Sequence, residues 1–271
     1  MSGAEVRPAR KEPGGAEVRL EREGPLARIV LSHPARRNAL TWAMYDQLAA
    51  ACERVAADGS VRVVVLRGDG GQAFAAGTDI RVFTGFTGPE DGVAYERRIA
   101  AVHRTLLELP VPVIAVVEGP AVGGGLTLAT LCDLVYCTPD AVFGAPIART
   151  VGHCEAPDTM ARMMAGFGRR LAMEMLLTGR LADAEEAYRA GFVTEVVPRE
   201  RLDARVAEVV ERILGCAPLS LSAFKELARR IDRALGEVDA EDVYRRVYAS
   251  ADFREGVAAF LAKRRPHWSG R

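Results

Sequence analysis

The sequence predicts an α/β fold followed by a region made of helices alone. Short apolar runs rich in β-branched residues alternate with helix-length segments as far as residue 198, which is typical of buried strands covered by helices. After Arg199 the apolar residues recur almost only at helical spacing. We therefore expect a flexible extension over residues 1–15, an α/β core over 16–198 and a C-terminal helical region over 199–271.

Composition and charge exclude several classes of protein. The chain has 271 residues, with 36 basic and 36 acidic side chains, a balance that argues against nucleic-acid-binding and polybasic membrane-surface proteins. Its five cysteines lack CxxC spacing, which indicates reduced thiols rather than a disulfide framework or a zinc site. Because no apolar run approaches eighteen residues and no signal-peptide pattern opens the chain, we expect a cytoplasmic protein without a membrane span or a bound metal.

The elements of the core follow from local patterns. Residues 1–15 are rich in Arg, Glu, Pro and Gly, which predicts flexibility. Two alternating segments within 18–31 predict a hairpin around Gly24, and Thr41 is the candidate N-cap of the first helix. The remaining patterns predict strands at 61–67, 113–117, 134–137 and 192–197, helices at 91–109, 157–177 and 183–190, a mobile loop at 82–90, and breaks between the last helices near 216–218 and Gly236.

Two glycine-rich turns follow apolar strands and point to a shared function. Gly123, Gly124 and Gly125 lead directly into a helix-forming sequence, and such a costly helix start is explained by bare backbone close to a ligand. A second turn of small residues, 74–79, follows the strand at 61–67. If each turn offered one backbone N–H to the same oxygen, the pair would form an oxyanion hole. The alternative is that the glycines only let the helix pack closely against a strand.

Several motifs, taken in order and spacing, are similar to those of the crotonase family, which comprises the enoyl-CoA hydratases and isomerases. The match runs from about Val18 to the C-terminus, and the motifs are Asn38-Ala39-Leu40, FAAGTDI (74–80), EGPAVGGGLTLATLCDLVY (118–136), FGAP (143–146), TGRLADAEEAYRAGFVTEVVP (178–198) and FLAKRRPHW (260–268). The resemblance implies a spiral of ββα units whose C-terminal helices help trimers assemble. It also implies stabilisation of the enolate of a coenzyme A thioester by the backbone amides of Thr78 and Gly124.

The acid and base positions depart from the family pattern. Well-studied hydratases of the family have one glutamate two residues after the third glycine and another directly after the proline of FG-x-P. This chain has Thr127 and Ile147 there. Threonine can hold a water but is a poor base, and isoleucine cannot transfer protons. Addition of water by the usual pair of carboxylates is therefore not expected.

Glu155 is the candidate proton-transfer group in place of the two missing glutamates. Some relatives, including the dehalogenase and dienoyl-CoA isomerase branches, carry a working carboxylate eight residues past the second glutamate position, and here that residue is Glu155. His153 lies beside it and can exchange protons near neutral pH. We therefore predict Thr78, Gly124, Thr127, His153 and Glu155 as the catalytic group. The alternative for Glu155 is a carboxylate that only caps or solvates a loop end.

The resemblance also assigns contacts to the coenzyme A moiety, and we expect no other cofactor. The segment 68–73 fits a G-x-G-x-x-A dinucleotide fingerprint, but no clear amphipathic helix follows it. Several of the expected coenzyme A contacts could instead have a purely structural role. The arginines could be solvated loop residues, the aspartate could anchor its own turn, and the lysine could be a cation at a helix end. The expected contacts are Arg36, Arg37, Ala76, Thr78, Asp79, Ile80, Phe260 and Lys263.

Two functions remain open from the sequence. The first is a lyase or isomerase of the enoyl-CoA hydratase/isomerase type that acts through a thioester enolate. The second is a non-catalytic acyl-CoA-binding or scaffold protein that kept the fold without the chemistry. In either case we expect a homotrimer or a dimer of trimers, because the apolar residues of the last helices resemble those at family interfaces. Those residues are Val243, Val247, Phe253, Val257 and Phe260.

Overall fold

The computed structural model describes residues 15–234 and 238–271. Almost all of the expected N-terminal extension and the expected break at Gly236 lie outside these residues. The described residues form nine strands, which are β1 (Glu17–Glu23), β2 (Leu26–Ser32), β3 (Val63–Gly68), β4 (Val113–Val117), β5 (Pro120–Val122), β6 (Leu134–Cys137), β7 (Val142–Gly144), β8 (Ala182–Asp183) and β9 (Glu195–Val196).

Ten α-helices occupy much of the rest of the described chain. They are α1 (Trp42–Ala57), α2 (Pro89–Leu107), α3 (Gly124–Thr130), α4 (Ile147–Thr150), α5 (Pro157–Thr178), α6 (Ala184–Ala190), α7 (Arg199–Leu214), α8 (Pro218–Ala234), α9 (Glu241–Tyr248) and α10 (Ala251–Leu261). The α/β class and the predominance of helix after Arg199 agree with the sequence-based prediction.

The strands form two sheets. A six-stranded sheet has the order β1-β2-β3-β4-β6-β9, and a three-stranded sheet has the order β5-β7-β8. In the larger sheet only β1 and β2 pair antiparallel, as the predicted hairpin, and every later pair is parallel. Because neighbouring parallel strands end at the same edge, the turns after β3 and β4 are brought together there.

Strand β4 is buried on both faces, as expected of a continuous apolar run in a parallel sheet. Its alternate residues Val113, Ala115 and Val117 pack into the larger core, beside α1, α2 and α3. Ile114 and Val116 face the opposite side, where α7 covers the sheet. The turn that follows β4 is therefore anchored in the most buried part of the fold.

The predicted helix caps are present in the structure, whereas some predicted strand and loop boundaries differ from it. Thr41 accepts a hydrogen bond from Met44 N at 3.3 Å, which caps α1, and Asp183 and Glu186 form the capping box of α6. The predicted strand at 192–197 was too long, because only Glu195–Val196 pairs with β6. The loop expected at 82–90 begins inside a 3₁₀ turn over Ile80–Phe83.

The C-terminal helices pack unevenly against the core. Helix α9 lies along α2, where a β-carbon at Gly92 would stand 2.1 Å from the Tyr248 ring, so only glycine admits this approach. Phe253 and Val257, which we expected at a subunit interface, are buried inside the chain's own core. Helix α8 instead exposes the large apolar side chains Leu219, Phe224, Leu227 and Ile231.

Candidate active site

The glycine triplet forms the sharp entry to α3. Gly123 is the N-cap, with φ 53° and ψ −121°, a conformation that side chains rarely adopt. A β-carbon on Gly125 would lie 2.1 Å from the carbonyl oxygen of Ala75. Close packing against the neighbouring turn therefore explains Gly125. Gly124 lies between them and lines a cleft of about 810 Å³.

Two backbone amides lie close to each other at this cleft. The segment around Thr78 is fixed by hydrogen bonds from Leu40 N to Gly77 O and from Asp79 N to Leu40 O, both 2.8 Å. Within the described chain, neither the Thr78 N–H nor the Gly124 N–H donates to a backbone carbonyl outside regular helix and strand pairing. A β-carbon on Gly124 would lie 3.5 Å from Thr78 N. The two amides therefore lie close together, beside the N-terminal end of α3.

Two tyrosines fix the Thr78 side chain. Its hydroxyl lies 2.8 Å from the Tyr45 hydroxyl and 3.2 Å from the Tyr95 hydroxyl. Both tyrosines are buried, with exposed fractions of 1% and 7%, and burial raises the pKa of each phenol above its ordinary value. They remain neutral hydrogen-bonding groups at physiological pH. The Thr78 amide is thus positioned by contacts on both sides of its own turn.

Thr127 and Ile147, at the family's glutamate positions, offer no proton-transfer group. Thr127 is buried and its hydroxyl donates to Gly123 O at 3.2 Å, one turn back in the same helix. Ile147 begins α4 and contributes an apolar wall. Both residues line the cleft. They therefore share the cleft with Thr78 and Gly124, and their side chains are suited to packing.

Glu155 lines the cleft in the segment between α4 and α5. Burial, together with the nearby charge of Glu96, raises its pKa to about 8. Both the carboxylic acid and the carboxylate are then populated near neutral pH, which suits a group that accepts and returns a proton. Glu155 shares the cleft with Thr78 and Gly124.

His153 occupies a box of aromatic rings. Its side chain is 10% exposed, and its ring centroid lies 5.0 Å from that of Tyr248 and 6.0 Å from that of Phe83. Burial lowers its pKa to about 3, so the imidazole is neutral at physiological pH. Its Nε2 is 3.1 Å from the Tyr248 hydroxyl, while its buried Nδ1 has no hydrogen-bond partner in the described part of the chain.

The sequence did not reveal Glu96 and Tyr248, although they lie beside the predicted residues. Glu96 is 7% exposed, on the core-facing side of α2 between Val93 and Ile99. Its carboxylate accepts a 2.6 Å hydrogen bond from Tyr248 of α9. A glutamate on the apolar stripe of an amphipathic helix was the signal that could have found it, because charged residues are rarely buried without a partner.

The predicted coenzyme A contacts fall into two groups. Ala76, Thr78, Ile80 and Phe260 line the cleft, which makes them accessible to a ligand there. Asp79 is buried and bonds to Arg81, so its carboxylate anchors its own turn. The cationic residues Arg36, Arg37 and Lys263 are exposed and do not line the cleft.

Comparison with known proteins assigns the family. A family model described as enoyl-CoA hydratase/isomerase matches residues 21–271. This chain belongs to the enoyl-CoA hydratase/isomerase family. It is 32% identical to the carnitinyl-CoA dehydratase of Citrobacter koseri, an alignment that covers 92% of this chain and 97% of the relative.

Solved structures of the enoyl-CoA hydratase/isomerase family support the same conclusion. An enoyl-CoA hydratase/carnithine racemase from Magnetospirillum magneticum superposes with a TM-score of 0.76 at 38% identity, covering 94% of this chain and 96% of the other. A methylmalonyl-CoA decarboxylase in complex with 2-nitronate-propionyl-CoA superposes with a TM-score of 0.86 at 26% identity, covering 94% and 98%. The chain therefore has the crotonase fold and is an acyl-CoA enzyme of this family.

The described part of the chain has neither a candidate metal site nor a membrane-spanning helix. Residues 15–234 and 238–271 contain no group of three or more His, Cys, Asp or Glu side chains that could hold a metal ion. None of the helices formed by these residues has the length and apolar character needed to cross a bilayer.

Proposed function

We propose that this enzyme is an isomerase or lyase that acts on an acyl-CoA thioester through its enolate, with Glu155 transferring the proton. The observation that carries the proposal is that Thr78 and Gly124, the residues of the two amides, line the same cleft as Glu155. In this assignment the thioester oxygen accepts both amide hydrogen bonds. Glu155 then exchanges a proton with a carbon conjugated to the carbonyl.

The amides supply the stabilisation of negative charge. When a carbon beside the thioester loses a proton, its electron pair moves onto the carbonyl oxygen. Preorganised donors are worth most at that oxygen, and removal of one such donor in other enzymes costs roughly 10²–10³ in kcat. Because these donors belong to the main chain, any residue at position 78 except proline supplies the N–H, and the Thr78 hydroxyl contributes only by helping to hold it in place.

Glu155 is favoured over His153 as the proton-transfer group. The pKa of His153 is about 3, so its imidazole is a weak base and is neutral at physiological pH. The pKa of Glu155, about 8, matches the operating range of a general acid or base. His153 instead contributes a neutral ring packed beside Tyr248.

The decisive experiment measures hydrogen exchange and turnover. The protein is incubated in deuterium oxide with a panel of saturated, enoyl, dienoyl and β-ketoacyl-CoA thioesters, and deuterium uptake beside the carbonyl and product formation are followed. Glu155→Gln keeps the size of the side chain but removes proton exchange, so its turnover should fall by roughly 10²–10⁴. Affinity for the thioester should change little.

Glu53→Gln is the matched control, since Glu53 is an exposed carboxylate on α1, and it should behave as wild type. If Glu155→Gln turned over a substrate as fast as wild type, Glu155 would have no part in the mechanism. Binding of the whole panel without exchange or reaction would favour the alternative, a non-catalytic acyl-CoA-binding protein, which the absence of both usual glutamates suggests.

We further propose that the enzyme is a trimer or a dimer of trimers and that α8 lies in its interface. Phe224, Leu227 and Ile231 lie at helical spacing and are 67%, 54% and 62% exposed in the single chain. Burying such a stripe against a second copy removes apolar surface from water, worth about 25 cal/mol per Å². Analytical ultracentrifugation tests the proposal, and a stable monomer would contradict it.

A further inference from the structure

Glu96 is a buried carboxyl group in the cleft, and it comes from a different element than Glu155. It lies on α2 and is buried, yet it lines the same cavity. One of its oxygens accepts the Tyr248 hydroxyl at 2.6 Å and lies 3.6 Å from His153 Nε2. Residues from α2, α9 and the segment before α5 therefore converge on one polar cluster.

The groups that contact Glu96 are Tyr248 and His153, although the cationic side chains of Arg97 and Arg104 line the same cleft. Within the described ranges, no Lys or Arg side chain forms an ion pair with it, and the imidazole of His153, 3.6 Å away, is neutral. Burial raises the pKa of Glu96 to about 7, although the Tyr248 hydrogen bond acts in the opposite direction. The groups facing it from α1, α2, α9 and the loop are Tyr45, Tyr95, Tyr244, Tyr248, His153, Cys154 and Glu155.

A pair of interacting carboxyl groups does not titrate as two independent acids. Ionisation of the first makes ionisation of the second less favourable, so the pair passes through a state with one proton. The charge of Glu96 acts on Glu155 in this sense. A singly protonated pair contains one base and one acid, which is what the two family glutamates, absent here, would have supplied.

We propose that Glu96 and Glu155 form one acid–base pair that shares a single proton, with Tyr248 positioning Glu96. This inference rests on the proposed function. In a shift of a carbon–carbon double bond, the ionised carboxylate takes a proton from one carbon as the C–H electron pair moves into the enolate. The protonated partner then donates its proton to the other carbon as the enolate collapses. The pair holds one proton before and after turnover.

The first test does not depend on turnover. Carbon NMR of protein labelled at its glutamate carboxyl groups follows the titration of both residues. In Glu96→Gln the titration midpoint of Glu155 should move to lower pH, and in Glu155→Gln that of Glu96 should move down by the same amount, because coupling is reciprocal. Tyr248→Phe should raise the midpoint of Glu96, since the lost hydrogen bond lowers its pKa.

Glu90→Gln is the matched control, because Glu90 lies on the same helix in an exposed ion pair with Arg245. It should leave both midpoints unchanged. If the Glu155 midpoint were the same in wild type and Glu96→Gln, the two carboxyl groups would be independent and the proposal overturned. Should Glu96→Gln fail to fold, the Tyr248→Phe and Glu155→Gln titrations decide the same question.

The second test separates this inference from the proposed function. With a substrate from the thioester panel, Glu96→Gln should retain deuterium exchange through Glu155 but lose roughly 10²–10⁴ of product formation, with KM little changed. If Glu96→Gln formed product at the wild-type rate, the proposed acid–base pair would be refuted even if the two titrations were coupled. Absence of exchange in the wild type would refute the proposed function, whereas the titration result would still stand.

Discussion

Gly124 and Gly125, at the start of α3, should be affected differently by replacement with alanine. A β-carbon on Gly124 would stand 2.7 Å from the Tyr45 hydroxyl oxygen and 3.2 Å from the Thr78 hydroxyl oxygen. Tyr45 is only 1% exposed, so its ring has little freedom to withdraw. In Gly124→Ala the start of α3 must therefore shift relative to Thr78, which separates the two amides.

The expected cost of Gly124→Ala falls on catalysis. Loss of one well-placed donor corresponds to a fall of roughly 10²–10³ in kcat, or about 2.7–4 kcal/mol of transition-state stabilisation. Stability should change less, because alanine is favoured over glycine within a helix by about 1 kcal/mol and offsets part of the contact. Affinity for coenzyme A itself should be retained.

Gly125→Ala should instead damage the fold. Its β-carbon would lie 2.1 Å from the Ala75 carbonyl oxygen and 2.9 Å from the carbonyl carbon. Ala75 is bridged to Ala121, so this backbone cannot move without disturbing the neighbouring turn. Overpacking of this kind typically costs about 1–3 kcal/mol or more.

The assay compares both variants with wild type by kcat and KM on a thioester from the panel and by thermal unfolding. Gly124→Ala should unfold near the wild-type temperature with strongly reduced kcat, whereas Gly125→Ala should unfold several degrees lower. Wild-type kcat in a correctly folded Gly124→Ala would refute the assignment of this amide to the oxyanion hole.

Three further predictions follow from the same geometry. Thr127→Ala should lower kcat less than tenfold, because the Thr127 hydroxyl bonds to the Gly123 carbonyl of its own helix; a loss of roughly 10² or more in steady-state kinetics would show that this hydroxyl takes part in proton transfer. Burial raises the pKa of Glu155 from 4.5 to about 8, so the fold favours its protonated form, and urea denaturation should show its stabilising contribution falling as pH rises across that range. Glu155→Gln should flatten the slope, and an unchanged slope would mean that Glu155 titrates normally. Phe224→Asp on the exposed face of α8 should shift the sedimentation coefficient to that of a smaller species, while Glu226→Gln on the same helix should not; an unchanged assembly in Phe224→Asp would exclude this face from the interface.

Much of the fold could be predicted because its causes are local. The Thr41 cap, the capping box at Asp183 and the buried run at 113–117 each depend on neighbouring residues or on simple periodicity. The strand ending at Val197 was predicted too long because the amides of Phe192 and Val193 donate to Ala187 O in α6 and not to β6.

The two halves of the site differed in predictability for a related reason. Thr78 and Gly124 lie in turns whose glycines and small residues can be recognised in the sequence. The contact between Glu96 and Tyr248 joins residues 152 positions apart, and nothing near either residue indicates the other. The pKa of Glu155 is raised mainly by burial and further by the charge of Glu96, so it depends in part on this distant pair.

The absence of a side chain at Gly92 lets the Tyr248 ring of α9 pack against α2, although α9 is remote in sequence from the two turns that contain Thr78 and Gly124. In the proposed mechanism, the carbonyl of the substrate and the protons it exchanges are thus governed by parts of the chain that can diverge separately in evolution. Exchanging the residue at 248 alters the environment of a carboxyl group without moving the backbone of either turn. A scaffold arranged in this way can acquire a different reaction on the same class of thioester through changes in its terminal helices.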